Sequence, residues 1–146
     1  AKDIEGGLVE VATKGDFIFI RVSNALLFAT GKATTKPEFA DLAARITASL
    51  NNEPGPVFVF GYTDNVPMSG RGKFKNNHDL SLARAEAVKK VLAETMTDKE
   101  RFVVEGKGEA DPIGDNETDD GRAQNRRVEI MIKRQETLGQ TTGQSG

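Results

Sequence analysis

A short, continuous apolar run at residues 57–60 lies between two segments of helical periodicity, and this alternation restricts the fold more than any other feature of the chain. Before the run, apolar side chains recur at helical spacing over residues 37–50, beginning with Pro37, a residue favoured at the first helical position. After the run, a second helix is predicted over residues 81–95. An apolar run of this length is typical of a central strand covered on both faces. The alternation predicts a sheet with helices packed against it.

The N-terminal region, residues 1–22, is predicted to form a hairpin. Strand-like runs at residues 8–13 and 16–22 are separated by Lys14-Gly15, a pair suited to a tight turn. The hairpin would supply the first two strands of the sheet.

Two further strands are predicted at residues 101–105 and 126–134, with the acidic, glycine-rich stretch 106–121 as the loop between them. The elements together indicate an α+β or α/β sandwich with helices against one sheet. Residues 1–134 are expected to form a single domain. Residues 135–146 are polar and glycine-rich, and we expect them to form a disordered tail.

Composition excludes several functional classes. The 146 residues are 37% hydrophobic, which suffices for one core, and the formal net charge of -2 gives no global positive field, so nucleic acid is not an expected partner. The absence of Cys excludes disulfides and thiol chemistry. No apolar run approaches the roughly 20 residues that span a bilayer. Because the chain starts at Ala1 without a signal-like segment, we expect a soluble domain excised from a longer protein.

Arg84 occupies an unusual place in the second predicted helix. It lies inside the apolar arc formed by Leu80, Ala85 and Val88, and it would fall in the first turn, where the helix dipole disfavours a cation. The side chain could extend out of the edge of the core or pair with a nearby acid. Alternatively, a ligand carboxylate could bind at this helix start.

Asp64 and Arg126 are the other candidate site residues. Asp64 follows the strand 57–60 at its carboxyl end, where ligands commonly bind, although an Asx-type turn would also explain it. Strand parity places Arg126 on the face of Val128, where it could pair with Asp64 or with a loop acid. Arg127 falls on the opposite face, with Glu129 and Lys133. From the residues alone, Asp64 and Arg84 could be a structural ion pair, an acid/base pair, or the two poles of a site for a zwitterion.

Catalysis and metal binding find little support in the sequence. A glycoside hydrolase would need two carboxylates, but Asp64 has no evident acidic partner, and an arginine in the site would keep carboxylates ionised. His78 is the only histidine, which argues against zinc. In the acidic loop, Asp120 stands where an EF-hand requires glycine. We therefore expect no enzyme, no metal and no cofactor. A domain that binds only protein partners is the alternative to a domain with a ligand site at Asp64 and Arg84.

Four blocks, "GYTDN", "LSLARAEAV", "GKGEADP" and "GRAQNRRVEI", occur in this order and resemble the OmpA-like peptidoglycan-binding domain. The resemblance covers roughly residues 17–133. It implies an α+β fold, a βαβαβ sandwich whose mixed sheet carries two main helices packed on one side. It also implies noncovalent binding of the peptidoglycan stem peptide, with Asp64 and Arg84 holding the amino and carboxylate groups of diaminopimelate.

The resemblance implies further contacts at Thr63, Asn65 and Arg126. One position departs from the family pattern, because many members carry an aspartate where this chain has Ala29. One polar contact to the ligand is therefore not expected here.

The segments "TDNVP" and "LFATGKA" are similar to a narrower branch, which contains the flagellar stator subunit MotB and the type VI secretion protein TssL. The resemblance implies a periplasmic domain of a membrane-anchored protein in a Gram-negative bacterium, with other inner-membrane subunits as partners and a homodimer as an option. We favour a type VI secretion component. A flagellar stator subunit and a general outer-membrane or lipoprotein wall anchor are the alternatives.

Overall fold

The fold is an α+β sandwich built on one five-stranded sheet. The computed structural model describes residues 9–29, 32–52, 55–68, 72–96 and 99–133. A single 3-10 turn, Lys99–Arg101, precedes the fourth strand. The other elements, in chain order, are β1 (Val9–Lys14), β2 (Phe17–Ser23), α1 (Asn24–Leu27), α2 (Phe39–Leu50), β3 (Val57–Tyr62), α3 (Asn77–Ala93), β4 (Phe102–Gly106), α4 (Asp119–Asn125) and β5 (Arg127–Lys133).

The sheet has the strand order β1-β2-β5-β3-β4 and is mixed. The pairs β1/β2, β2/β5 and β3/β5 are antiparallel, whereas β3 and β4 are parallel. The parallel pair is connected through α3, as a parallel connection requires a crossover. The predicted mixed sheet with two main helices is confirmed. The predicted hairpin is confirmed as well, with Gly15 at a positive φ of 60° in the turn.

The core lies between the two main helices and one face of the sheet. On α2, the side chains at helical spacing that were expected to be buried are buried, including Phe39, Leu42 and Ile46. They share one core cluster with alternate strand residues such as Val59 and Ile130, both fully buried. This burial fixes which face of each strand points inward, because a shift of one residue would turn every apolar side chain outward.

The prediction that the central strand is covered on both faces is wrong. Val57 and Val59 face the helices and are fully buried, but Phe58 and Phe60 point to the opposite face and are only half-buried. There, Phe58 packs against Phe60 with ring centroids 5.9 Å apart. We refer to this second, helix-free side of β3 as the open face. Residues 57–60 form a continuous apolar run because Phe58 and Phe60 place aromatic rings on the open face, and not because a second layer of helices covers it.

Helix α3 lies very close to the sheet because two glycines remove the side chains that would separate them. A Cβ at Gly61 would lie 2.2 Å from the carbonyl oxygen of Ser81, and one at Gly106 would lie 2.6 Å from the backbone nitrogen of Leu82. Ser81 also accepts a hydrogen bond from the backbone N–H of Gly108 (2.9 Å). These contacts fix the position of α3 and therefore that of Arg84.

The helix α3 begins four residues earlier than predicted. Asn76 caps it, with its side chain accepting a hydrogen bond from the backbone N–H of Asp79 (2.8 Å). Arg84 consequently lies in the third turn and not in the first, so the predicted anion site at a helix start is wrong. The environment of the Arg84 guanidinium is therefore set by the residues around it and not by the helix terminus.

Two short helices were not predicted. The four-residue α1 follows β2, and α4 interrupts the end of the acidic stretch that was expected to be a loop. Helix α4 contains Gly121, whose Cα lies so close to Asp115 that a Cβ would be 1.9 Å from the Asp115 carbonyl oxygen. Residues 1–8 and 134–146 lie outside the described residues, so the predicted domain limits and tail stay predictions. Among the described helices, none is long and apolar enough to span a bilayer.

Candidate functional site

Three chain segments end at the same edge of the sheet, and they bring the candidate site together. Arg127 at the start of β5 pairs with Tyr62 at the end of β3 and with Ser23 at the end of β2. The neighbouring residues Asp64, Arg126 and Asn24 therefore meet at this edge, although they are far apart in sequence. The backbone N–H of Asn24 donates to the carbonyl oxygen of Arg126 at 2.9 Å, which closes the edge.

Asp64 is largely buried and has two hydrogen-bond partners. Its Oδ2 accepts from Nη1 of Arg126 at 2.6 Å, and its side chain is 13% exposed. Its Oδ1 accepts from the backbone N–H of Val66 at 3.0 Å, which makes the Asx-type turn. Both structural alternatives for Asp64 are therefore present together: the turn, and an ion pair. The partner in that ion pair is Arg126 and not Arg84.

Arg84 is buried with only 5% exposure, and its guanidinium contacts the loop after α1. The Nε atom donates to the carbonyl oxygen of Lys32 at 2.9 Å, and the guanidinium carbon lies 5.2 Å from the centre of the Phe28 ring. Burial lowers the pKa of Arg84, the positive charge of Arg126 lowers it further, and the carboxylate of Asp64 opposes both. The guanidinium stays protonated at neutral pH because its ordinary pKa is so high.

A small cleft of about 190 Å³ opens between these two arginines. Its lining contains two guanidinium groups and no carboxylate. The lining residues are Ser23, Asn24, Ala25, Phe28, Ala29, Arg84, Ala123 and Arg126. Two cations facing one cleft repel each other, so a bound anion would lower the energy of the site. Asp64 borders the cleft through its bond to Arg126.

Ala29 lies on this cleft and is exposed. Its methyl side chain adds neither a charge nor a polar contact to the cleft.

Thr63 and Asn65 lie on either side of Asp64 but in different environments. Thr63 is buried, with its backbone N–H donating to the carbonyl oxygen of Gly108 (2.7 Å) and its Oγ1 donating to that of Asp64 (2.8 Å). Asn65 is exposed and lines a separate groove that also contains His78. The structure thus brings Asp64, Arg84 and Arg126 together, places Thr63 beneath them, and turns Asn65 towards a neighbouring surface.

The sequence reasoning missed Asn24. Its residue exposure is 6%, it lines the cleft, and neither polar atom of its side chain has a hydrogen-bond partner. Its signal in the sequence was weak, because an asparagine after a strand usually caps a turn. Only the register of β2 against β5 shows that the side chain is enclosed.

A larger groove, about 620 Å³, lies on the open face of the sheet. Its most buried cation, Arg127, is 2% exposed and donates through Nε to Oε2 of Glu129 at 2.7 Å. The charge of Arg127 is therefore neutralised inside the protein. The burial of Arg127 was not predicted, since strand parity alone placed it on the same side as Lys133.

Comparison with known proteins agrees with this architecture. The model of the OmpA family matches residues 27–126. The solved structure described as the cell wall anchor of the T6SS from Pseudomonas aeruginosa superposes with a TM-score of 0.83 at 35% identity, covering 92% of this chain and 93% of that one.

Two curated relatives show similar identity. Motility protein B of Bacillus subtilis is 34% identical over 126 residues, which are 85% of this chain and 48% of that protein. Probable lipoprotein YiaD of Escherichia coli is 36% identical over 130 residues, which are 88% of this chain and 57% of that protein. The chain spans about half the length of these curated relatives.

Proposed function

Because this chain belongs to the OmpA family, we propose that it binds peptidoglycan noncovalently, through the free diaminopimelate head of the stem peptide, and anchors an envelope machine to the cell wall. The observation that carries the proposal is the meeting of Asp64, Arg84 and Arg126 at one sheet edge, beside a cleft lined by two guanidinium groups. A carboxylate next to two arginines offers one pole for an ammonium group and one for a carboxylate.

Asp64 would hold the ligand ammonium group. An ionised carboxylate has about four lone-pair positions. Arg126 and the backbone N–H of Val66 each use one of them. Within the described part of the chain, two positions are therefore left for N–H donors of the ligand, and the bond to Arg126 orients the carboxylate before the ligand arrives.

Arg84 would hold the ligand carboxylate. Its Nε is already engaged by the carbonyl oxygen of Lys32, which fixes the plane of the guanidinium. Within the described part of the chain, its two terminal amino groups have no protein acceptor, so they are free to form a bidentate pair with a carboxylate. Burial makes such a pair stronger than it would be in water.

The remaining candidates would act beside these poles. Arg126 would add a second cation to the carboxylate while orienting Asp64. Thr63 would position Asp64 through its hydrogen bond to the Asp64 carbonyl oxygen. Asn65 is exposed next to Asp64 and would contact the stem peptide outside the cleft. In this scheme the protein binds its ligand and does not turn it over.

We favour a type VI secretion membrane complex as the anchored machine, since the Pseudomonas aeruginosa cell wall anchor of the T6SS matches 92% of the chain. A flagellar stator is the second candidate, supported by Motility protein B at 34% identity. A lipoprotein or outer-membrane wall anchor is the third, supported by YiaD. In each case the domain would lie in the periplasm, with the other subunits of the machine, and a second copy of the chain, as partners.

Binding of two synthetic tripeptides tests the ligand. L-Ala-γ-D-Glu-meso-diaminopimelate and the matched peptide ending in L-lysine both offer a side-chain ammonium group, but only the first carries a carboxylate on the same carbon. We expect calorimetry to detect binding of the diaminopimelate peptide and at least about tenfold weaker binding of the lysine peptide, because the arginines then lose their anion. Equal binding of both peptides, or of neither, would contradict the proposal.

Variants of the two poles test the residues. Arg84→Met keeps an aliphatic stem against Phe28 and removes the guanidinium, so affinity for the diaminopimelate peptide should fall by about 1.5 to 3 kcal/mol, roughly 10- to 100-fold. Asp64→Asn should cause a similar loss. Arg21→Met is the matched control, because Arg21 also stacks on a phenylalanine, at 4.8 Å from the Phe19 ring, but on the open face. Its affinity should equal that of the wild type.

Copurification distinguishes the three machines. The full-length protein would be isolated from membranes of its native host after mild crosslinking, and its partners identified. Type VI secretion subunits are expected. Recovery of flagellar motor proteins, or of outer-membrane proteins alone, would move the assignment to the second or the third candidate.

A further inference from the structure

Asn24 is a buried asparagine whose side chain has no hydrogen-bond partner among the residues that the structure describes. The residue follows β2, is 6% exposed, and lines the cleft between Arg84 and Arg126. Both its Nδ2 and its Oδ1 are enclosed without a hydrogen bond. A buried amide that makes no hydrogen bond costs free energy, so such groups are rare in folded proteins and call for a physical reason.

A second buried asparagine shows what a structural role looks like in this fold. Asn125 is fully buried, and its Oδ1 accepts from the backbone N–H groups of Ile113 and Gly114, both at 2.7 Å. Its Nδ2 donates to the carbonyl oxygen of Gly114 at 3.0 Å and to Oδ1 of Asn116 at 2.8 Å. Asn125 thus has all its hydrogen-bonding capacity used within the loop it supports, whereas Asn24 has none of its side-chain capacity used.

The backbone of Asn24 does carry a structural role. Its N–H donates to the carbonyl oxygen of Arg126 and its own carbonyl accepts from the N–H of Phe28. Any residue type could make these two contacts, since they involve only the main chain. The side-chain amide is therefore not required by the backbone geometry of this turn.

The chemistry of the cleft indicates what the amide could bind. An asparagine side chain presents one donor group and one acceptor side by side. In a cleft with two guanidinium groups, the donor suits the carboxylate that those cations attract, and the acceptor suits an N–H donor next to that carboxylate. A carboxylate and an ammonium group on the same carbon, as in the head of an α-amino acid, match this pattern.

We propose that Asn24 is a ligand-contacting residue that determines specificity in the cleft: Nδ2 donates to the ligand carboxylate and Oδ1 accepts from the ammonium group on the same carbon. This proposal rests on the proposed function, because it names a further contact for the same diaminopimelate head. Both amide atoms are enclosed in this structure, so the proposal requires the side chain to turn towards the cleft when the ligand binds, and its hydrogen bonds form only then. Amidation of that carboxylate would leave the two arginines without their anion.

Leucine keeps the branched four-atom skeleton of the asparagine side chain, with larger end groups, and removes both polar atoms, so Asn24→Leu and Asn125→Leu form a matched pair. Asn24→Leu should melt at the wild-type temperature or above it, because an unpaired buried amide is removed. Its affinity for L-Ala-γ-D-Glu-meso-diaminopimelate, measured by calorimetry, should fall at least about tenfold. Asn125→Leu should lower the melting temperature strongly, because it leaves four hydrogen bonds unmade.

Two further measurements distinguish a direct contact between Asn24 and the ligand from a role of Asn24 in stabilising the fold. Asn24→Asp places an anion in the cleft, so it should raise the melting temperature and abolish peptide binding. In the wild type, the side-chain amide NMR signals of Asn24 should shift when the tripeptide is added, while those of Asn125 stay in place.

These experiments distinguish a failure of the role proposed for Asn24 from a failure of the proposed function. If wild type binds the peptide and Arg84→Met does not, but Asn24→Leu binds like wild type, the role of Asn24 is overturned and the site stands. A loss of melting temperature in Asn24→Leu as large as that in Asn125→Leu also overturns it, since Asn24 then supports the fold. If wild type does not bind the peptide, both proposals are overturned together.

Discussion

Arg126 and Arg127 are neighbours in the chain, but the fold uses their charges in opposite ways. Arg127 is 2% exposed, and each of its three nitrogen atoms donates to the protein. Nε donates to Glu129 at 2.7 Å, Nη1 to the carbonyl oxygen of Asn125 at 3.1 Å, and Nη2 to that of Asp111 at 2.8 Å. Arg127 is therefore satisfied before any ligand is present.

Arg126 makes one side-chain contact of this kind. Nη1 donates to Oδ2 of Asp64 at 2.6 Å, while 42% of the side chain is exposed. The rest of the guanidinium borders the cleft that also contains Arg84. Two consecutive arginines therefore differ: the donors of Arg127 are used inside the protein, whereas part of the Arg126 guanidinium still faces solvent.

The contrast gives a criterion for an arginine that is able to bind an anionic ligand in this fold. Burial and an acidic partner do not identify it, because Arg127 has both. The useful property is unused donor capacity directed into a cleft without a competing carboxylate, which Arg84 and Arg126 share. If this distinction is correct, Arg127 variants should change stability, and Arg84 or Arg126 variants should change binding.

The largest effect is expected for Arg127→Met. Removing this cation leaves the buried carboxylate of Glu129 without its closest charge partner, since Arg21 lies 3.4 Å away, and breaking a buried pair from one side costs about 3 to 5 kcal/mol. The free energy of unfolding, measured in urea, should fall by that amount. Folded Arg127→Met protein should still bind the diaminopimelate peptide like wild type.

The double variant Arg127→Met/Glu129→Gln serves as the control for this mechanism. It removes the stranded charge as well, so it should recover more than half of the lost stability. Two outcomes contradict the comparison: no stability loss in Arg127→Met, or a loss of peptide affinity in protein that is still folded.

The sequence predicted the parts of this comparison that depend on local periodicity. The hairpin, helix α2 and strand β5 were predicted because their apolar residues repeat at periods set by the backbone. The burial of Arg127 could not be predicted in the same way. Strand parity correctly grouped it with Glu129, but the loop carrying Asp111, which covers both, packs there only in the folded chain.

The candidate residues were predicted, and the ion pair of Arg126 with Asp64 was one of the two pairings predicted for Arg126. The choice of Asp64 over a loop acid depends on the register of β3 against β5, which no local pattern contains. The error in the start of α3 had a local signal, because Asn76 followed three residues later by Asp79 is a helix-capping pattern. The enclosed amide of Asn24 depends on the register of β2 and had no such signal.

A smaller effect is expected at Tyr62, the only tyrosine and therefore a direct probe of the open face. Burial, and after it the carboxylate of Glu129, raise the pKa of Tyr62 from 10.0 to about 12, against the opposing effect of the Arg127 guanidinium, which lies 3.8 Å from the ring centre. In the unfolded chain the phenol ionises near its ordinary value, about 10. The contribution to stability is thus complete below pH 10 and is lost as pH rises through 12.

Absorbance titration of Tyr62, with circular dichroism recorded in parallel to monitor the fold, measures this. The midpoint should lie near 12 in the folded wild type and near 10 in denaturant. Glu129→Gln should lower the folded midpoint, because the negative charge that opposes ionisation is gone. Arg126→Gln should leave it unchanged. A midpoint that changes in Arg126→Gln but not in Glu129→Gln would mean that Arg126 and Arg127 do not lie in separate electrostatic environments.

The smallest effect on stability is expected for Arg126→Gln, the direct counterpart of Arg127→Met. The ion pair with Asp64 is solvated on the arginine side, with 42% of that side chain exposed, so its loss should cost less than about 1 kcal/mol of unfolding free energy. Asp64 keeps its hydrogen bond from Val66, and the turn should persist. Affinity for the diaminopimelate peptide should fall roughly three- to tenfold, because the cleft loses one of its two cations while Arg84 remains. Urea denaturation and calorimetry on the same sample give both values. A stability loss equal to that of Arg127→Met would show that the neighbouring arginines are both structural, and unchanged affinity would leave Arg84 as the cation that binds the carboxylate alone.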